Sequence, residues 1–171
     1  MPNGAKETFH LKVEQENRFC YNDYQQNGLN APQRSEIIMS NGALVELAIS
    51  QITFGASFLN DYWVNSEGFS RIDLDLGYEY NLTRSLKLQP FIGCEFNALG
   101  SGLSAGVKLN KSFEIFEYVN IGLFAGLRYS GLQSISFTGD IEQISKGCTA
   151  VSAGAYCMLY NYKRPRIIRN W

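Results

Sequence analysis

The chain has 171 residues, of which 45% are hydrophobic, 13% aromatic and 18% charged, and its formal net charge is −1. This length fits one domain with one core. The composition excludes a disordered chain, and the charge excludes a nucleic-acid-binding protein that works through a strongly basic surface. No apolar run is long enough for a transmembrane helix, and residues 1–7 contain no apolar segment. We therefore expect any signal peptide to have been removed or never to have existed.

Alternation of apolar and polar residues predicts an all-β chain. The pattern is clearest from Arg71 to Leu82, where isoleucine, leucine and tyrosine fill every second position. At Ser50 and Gln51 the apolar side chains change from odd-numbered to even-numbered positions, which indicates a tight hairpin. Pro90 weakens the hydrogen-bonded ladder of the strand predicted at 85–96. The chain is predicted to be a single domain, 1–171, with eight strands at approximately 8–14, 42–49, 52–59, 69–81, 85–96, 102–109, 117–129 and 148–162.

In each strand, every second residue lies on the less apolar face, which we call the polar parity. These positions carry glycines together with large residues such as Phe91, Phe124 and Tyr156. A glycine that faces open water lowers stability for no gain, whereas the narrow lumen of an eight-stranded barrel needs small residues beside large ones. The pattern therefore favours a barrel whose polar face is the lumen. The glycines on this parity are Gly55, Gly77, Gly93, Gly106, Gly122, Gly126 and Gly154.

Charged residues of both signs share the polar parity and are nearly balanced, which suits a buried network. The alternative is an exposed sheet face with surface salt bridges. The predicted lumen network consists of Glu46, Arg71, Asp73, Asp75, Glu79, Lys87, Glu95, Lys108 and Arg128.

The other parity is apolar, as contact with lipid requires, and aromatic residues concentrate next to turns. Such clusters match the aromatic girdles of membrane interfaces. The residues in question are Tyr62, Trp63, Phe69, Tyr78, Tyr80, Phe113, Phe116, Tyr118, Tyr160 and Tyr162.

The four cysteines form no C-x-x-C pair, and a single histidine, His10, cannot assemble a His/Cys metal cluster. We therefore expect no metal and no cofactor. Cys94 and Cys157 fall on the apolar parity, where a thiol behaves as a small hydrophobic group. Cys20 and Cys148 lie in or beside predicted loops and can pair in an oxidising compartment, or remain free.

The segments 74–82, 103–109 and 121–129 resemble strands of the small eight-stranded outer-membrane β-barrels of Gram-negative bacteria, either lipid A deacylase-like or OmpX/OmpW-like. The resemblance implies an antiparallel up-and-down transmembrane barrel in the bacterial outer membrane. Segment 127–131 also looks like the strand in which the deacylases place a histidine two residues before a nucleophilic serine. Here Arg128 takes the histidine position, and arginine does not act as a general base. A catalytic pair would need Ser130 and the distant His10.

These observations predict a non-enzymatic outer-membrane barrel with a side-chain-filled lumen, which serves envelope integrity, surface adhesion or recognition, or passage of small apolar molecules. Its expected partners are membrane lipid or lipopolysaccharide, and a surface ligand at the long loops 15–36 and 130–147. We expect a monomer and no nucleic acid. Two alternatives stay open: a lipid A-modifying hydrolase that uses Ser130 and His10, and a soluble calycin-like barrel that binds an apolar ligand.

Overall fold

The computed structural model describes residues 9–26, 34–63, 66–97, 100–134 and 143–160, all of them in strands or the turns between them. No helix among these residues is long and apolar enough to cross a membrane. The strands are β1 (Phe9–Gln26), β2 (Arg34–Ile49), β3 (Ile52–Trp63), β4 (Ser66–Tyr78), β5 (Tyr80–Asn81), β6 (Leu86–Asn97), β7 (Gly100–Phe116), β8 (Val119–Ser134) and β9 (Gln143–Tyr160).

Antiparallel pairing of neighbouring strands builds one sheet, and this sheet closes into a single barrel because its first and last strands also pair. β1 pairs with β9, and β4 pairs with β6. β4 and β5 form one barrel strand, because they pair with β6 in the same register on both sides of Glu79. That register puts Tyr78 opposite Pro90, which has no N–H to donate to the ladder, so the strand is interrupted there without a slip. The predicted eight-stranded up-and-down barrel is confirmed.

Several strands are longer than the sequence predicted. The prediction of a loop over 15–36 is wrong, because β1 continues to Gln26 and β2 begins at Arg34. Likewise, β8 runs to Ser134 and β9 starts at Gln143, inside the predicted loop 130–147. The extra pairings join residues such as Asn17 and Asn41, which are polar although they face outward. Hydrophobic alternation stops there while the backbone ladder continues. The remaining connections, 27–33 and 135–142, lie outside the described residues.

The hairpin predicted at Ser50 and Gln51 is confirmed. Ile49 pairs with Ile52, so the connection has two residues. Ser50 has a φ of 59°, and it is the only non-glycine residue with positive φ in the described chain. Strongly twisted strands favour such tight turns, whose first position requires a left-handed backbone.

The two faces of the barrel are assigned as the sequence predicted. Most outward side chains are apolar and open to the surroundings, for example Val45 at 48% and Leu74 at 49% exposed, whereas Arg18 and Glu95 inside are at most 1% exposed. This arrangement excludes the calycin-like alternative, which needs an apolar interior. Most described members of the aromatic clusters also face outward, but Tyr160 is a correction, since its ring is buried in the lumen against His10.

Three of the large aromatic side chains in the lumen lie directly opposite a glycine of the neighbouring strand. Register pairs Phe91 with Gly106, Phe124 with Gly154, and Tyr156 with Gly122. The glycines leave room for rings that fold across the wall, as a narrow lumen requires.

Candidate functional site in the barrel interior

The interior of the barrel holds two layers of charged side chains. We call the end with the turns at 50–51, 82–85 and 117–118 the short-turn end; it also carries Phe9 and Tyr160, and the opposite end is the distal end. The lysine layer, nearer the short-turn end, contains Lys12, Glu14, Glu46, Glu79, Lys87 and Lys108. The arginine layer, nearer the distal end, contains Glu16, Arg18, Asp61, Arg71, Asp73, Asp75, Glu95 and Arg128.

Arg18 lies at the centre of the arginine layer. Its Nη1 is 2.8 Å from Asp73 Oδ2 and 3.7 Å from Glu95 Oε1, and its Nε donates to Glu16 Oε1 at 3.1 Å. β1 is opposite β4 and β6 in the barrel order, so these contacts cross the lumen. The guanidinium therefore ties opposite walls together.

Arg71 and Arg128 complete the arginine layer from the side of β4 and β8. Arg71 Nη2 donates to Asp61 Oδ1 at 3.1 Å and to the hydroxyl of Ser40 at 3.0 Å. Arg128 Nη1 donates to Glu95 Oε1 at 3.0 Å, and its Nη2 contacts Asp75. Each arginine thus has a carboxylate partner, which is what charges removed from water require.

The lysine layer is built around Lys12. Its Nζ is 2.7 Å from Glu14 Oε1 and 2.7 Å from Glu46 Oε1. Lys108 Nζ lies 2.9 Å from the other oxygen of Glu14, and Lys87 Nζ lies 2.5 Å from Glu79 Oε2. The layer links strands that are far apart in the sequence.

All nine residues of the predicted lumen network thus lie in the interior, within these two layers. The sequence analysis missed Lys12, Glu14, Glu16, Arg18 and Asp61. Lys12 and Glu14 stand on the polar parity of the predicted first strand, so parity was a usable signal for them. Glu16 and Arg18 fell in the predicted loop, and Asp61 lay just beyond the predicted end of its strand.

The structure does not bring Ser130 and His10 together. In the pairing of β9, Ser130 is opposite Cys148 and His10 is opposite Tyr160, twelve residues further along the strand. At about 3.3 Å per residue the two side chains are separated by about 40 Å along the strand. Ser130 donates its hydroxyl to Glu95 Oε1 at 2.8 Å. His10 is 2% exposed and faces the lumen.

The four cysteines are free thiols. Cys20 and Cys148 are buried in a common cluster with Ile38 and Ala150, at the distal half of β1 and β9 rather than in loops. Cys157 is exposed on the outer face and Cys94 is half-buried on the same face, as their apolar parity predicted.

A shallow apolar groove of about 590 Å³ runs along the outer wall over β3, β4, β6 and β7. It is lined mainly by aliphatic and aromatic side chains of the outer face, together with Gly55, Asp75, Gly93 and Ser104. The principal lining residues are Phe54, Leu74, Leu76, Ile92, Cys94 and Leu103.

Two solved structures are similar to this one over almost their whole length. The crystal structure of Neisserial surface protein A (NspA) has a TM-score of 0.52 and 13% identity, covering 88% of this chain and 96% of that one. The solid-state NMR structure of outer membrane protein AlkL in DMPC lipid bilayers has a TM-score of 0.58 and 6% identity, covering 99% of this chain and 98% of that one. No protein-family model and no curated protein sequence matches the chain.

At such identities the likeness shows the fold alone, and the fold is that of the small eight-stranded outer-membrane β-barrels, as the resemblance in sequence implied. The distribution of side chains agrees with it. An apolar outer face around a charged interior is the arrangement of a transmembrane barrel and the reverse of a soluble one.

Proposed function

We propose that the protein is a non-enzymatic barrel of the bacterial outer membrane, with a closed lumen and a role in envelope integrity. One observation carries the proposal: the arginine layer bridges opposite walls of the lumen through buried ion pairs. Arg18 of β1 contacts Asp73 of β4 and Glu95 of β6. An ion that passed through would have to separate these pairs inside a low-dielectric interior, which is strongly unfavourable.

Membrane lipid, including lipopolysaccharide, is the proposed partner of the outer wall. The wall offers an apolar surface, and the groove over β3, β4, β6 and β7 has an apolar lining that suits an acyl chain. In this proposal the barrel acts as a monomer, and recognition at the cell surface belongs to the connections at the distal end, where long loops of such barrels face outward.

The proposed lumen role is tested by expressing the chain behind a secretory signal in a Gram-negative host, purifying it from the outer-membrane fraction and inserting it into planar lipid bilayers. We expect a band that shifts on boiling in SDS gels and no stepwise conductance. A matched variant, Arg18→Ala with Asp73→Ala, removes one bridge across the lumen without changing net charge and should raise the basal leak.

Two results would contradict the proposal. Stable conductance steps from the wild-type protein would show that the lumen is open. A chain that stays soluble and monodisperse without detergent would show that the outer face does not contact lipid at all.

A further inference from the structure

Three potential metal ligands meet in the lysine layer near the short-turn end. They are His10 from β1, Glu46 from β2 and Glu79 from the junction of β4 and β5. One ligand atom from each residue lies within 4.8 Å of the other two, and all three residues are buried. They are distant in sequence, so only closure of the barrel brings them together.

The distances fit a small divalent cation. His10 Nε2 is 3.7 Å from Glu79 Oε1. Two ligands at about 2.1 Å from a tetrahedral zinc ion are separated by about 3.4 Å. A shift of a few tenths of an ångström therefore suffices for these two atoms to share one ion. The third residue, Glu46, offers a carboxylate oxygen within 4.8 Å of both.

Two of the ligand atoms have no hydrogen-bond partner, although both are buried. His10 Nε2 and Glu79 Oε1 each make no hydrogen bond, and both residues are 2% exposed. Buried polar atoms in folded proteins almost always make a hydrogen bond, and at 3.7 Å these two atoms face each other beyond hydrogen-bond distance. A cation between them would satisfy both.

Neighbouring side chains already orient the ligands. Lys87 holds the second oxygen of Glu79 at 2.5 Å, and Gln89 donates to Glu46 Oε2 at 2.5 Å. The backbone N–H of Glu79 donates to the carbonyl of Gln51 in the β2–β3 turn at 2.7 Å. Such outer contacts fix the ligands of metal sites.

Charge also favours a cation. The described interior side chains comprise eight carboxylates and six lysines and arginines, which leaves two negative charges in excess. Lys12 is the competing cation at Glu46, but it lies equally close to Glu14, at 2.7 Å, and keeps that partner when a metal ion binds. One divalent ion would balance the charges of these described side chains.

We propose that His10, Glu46 and Glu79 bind one divalent transition-metal ion inside the barrel, with water completing the coordination. One imidazole and two carboxylates form a mixed N/O ligand set of the kind that suits zinc and its neighbours in the first row. The ion ties β1, β2 and the β4–β5 junction together at the end where the chain enters the barrel. The expectation of no metal rested on spacing along the sequence, which does not detect a cluster assembled from three strands.

The test is titration of the purified, metal-free protein in detergent with Zn²⁺, by competition against a chromophoric chelator. We expect one ion per barrel. His10→Gln and Glu79→Gln should each weaken binding by about tenfold or more, as loss of a ligand or its support does. Glu95→Gln is the matched control: it also removes one buried interior carboxylate, but in the arginine layer, and should leave the affinity within about twofold of wild type. Mobility shift on boiling verifies that each variant folds.

X-ray absorption at the zinc edge of the wild-type protein gives a second measurement that needs no variant. We expect one imidazole nitrogen together with oxygen ligands. Absence of stoichiometric binding, a spectrum without imidazole, or equal affinity of wild type and a folded His10→Gln variant would overturn the proposal.

Discussion

Packing in the lumen depends on single positions, because the rings of Phe91, Phe124 and Tyr156 each lie against a glycine. A Cβ added at Gly154 would lie 2.7 Å from Cε1 and 2.9 Å from Cζ of Phe124, and closer still to the carbonyl oxygen of Gln15. Carbon atoms in contact need about 3.5–4.0 Å. The backbone of β1 is held by its ladders with β2 and β9, and the ring is buried in a cluster with Tyr156, Met158 and Tyr160.

Gly154→Ala is therefore predicted to destabilise the barrel by about 1–3 kcal/mol, the usual cost of overpacking a core. The measurement is denaturant unfolding in detergent or lipid vesicles. Gly131→Ala is the control, since a Cβ there faces outward and meets only the carbonyl oxygen of Leu103 at 3.9 Å. Equal stability of the two variants would mean that the rings do not fill the space opposite the glycines.

Residue-scale patterns predicted this crowding but not the ligand cluster. Glycines and charges on one parity identified the lumen, because parity is a local property that a single strand carries. The meeting of His10 with Glu79 depends on closure of the whole sheet, and no spacing in the sequence encodes it. The burial of Tyr160 beside His10 also depends on closure of the sheet, since the two residues pair where the first and last strands meet.

Among the elements, the β2–β3 hairpin concentrates backbone strain in one residue. Ser50 has φ 59°, a left-handed conformation that costs an L-residue about 1–2 kcal/mol and a β-branched residue more. Glycine adopts it without steric cost but loses more entropy on folding, by about 0.5–1 kcal/mol.

Ser50→Gly should consequently leave stability unchanged or raise it by up to about 1 kcal/mol, while Ser50→Val should lower it by about 1–2 kcal/mol. Both variants remove the hydroxyl, so the difference between their free energies of unfolding reports the cost of the left-handed backbone at residue 50. Unfolding free energies measured in the same vesicles decide the point. A valine variant as stable as the glycine variant would argue against the left-handed turn.

Strand ends were the least predictable elements, and the reason is physical. Along β1 the sequence predicts only 8–14, because outward residues Gln15 and Asn17 break the hydrophobic alternation. Pairing nevertheless continues to Gln26, held by backbone hydrogen bonds to β2 and β9. The hydrophobic alternation shows which outward residues are apolar, whereas the length of a strand depends on backbone hydrogen bonds to its neighbours. A transmembrane strand needs only about 9–11 residues, so β1, with 18 residues, is longer than a bilayer crossing requires.

On the scale of the whole molecule, the outer wall carries an apolar band, and on β1 to β4 this band has a defined limit toward the distal end. Cross-strand pairing aligns Asn17, Asn41, Asn60 and Ser70 in one row of polar side chains. Asn41 donates to Asn17 at 2.6 Å, and Ser70 donates to Asn60 at 3.3 Å. Beyond the row, aromatic residues again face outward, as in an interfacial girdle.

This arrangement predicts that a charge is tolerated in the row and not in the band. Val45 and Asn41 share the outer face of β2 and lie four residues apart, about 13 Å along the strand. Val45→Arg should cost about 2–4 kcal/mol in phospholipid vesicles, as for arginine at the bilayer midplane, whereas Asn41→Arg should cost about 0–1 kcal/mol, as at an interface. Reversible denaturant unfolding followed by tryptophan fluorescence measures both. Because the two variants add the same side chain to the same face, a difference between them reports depth in lipid. Equal costs would mean that this face does not lie in a hydrocarbon layer.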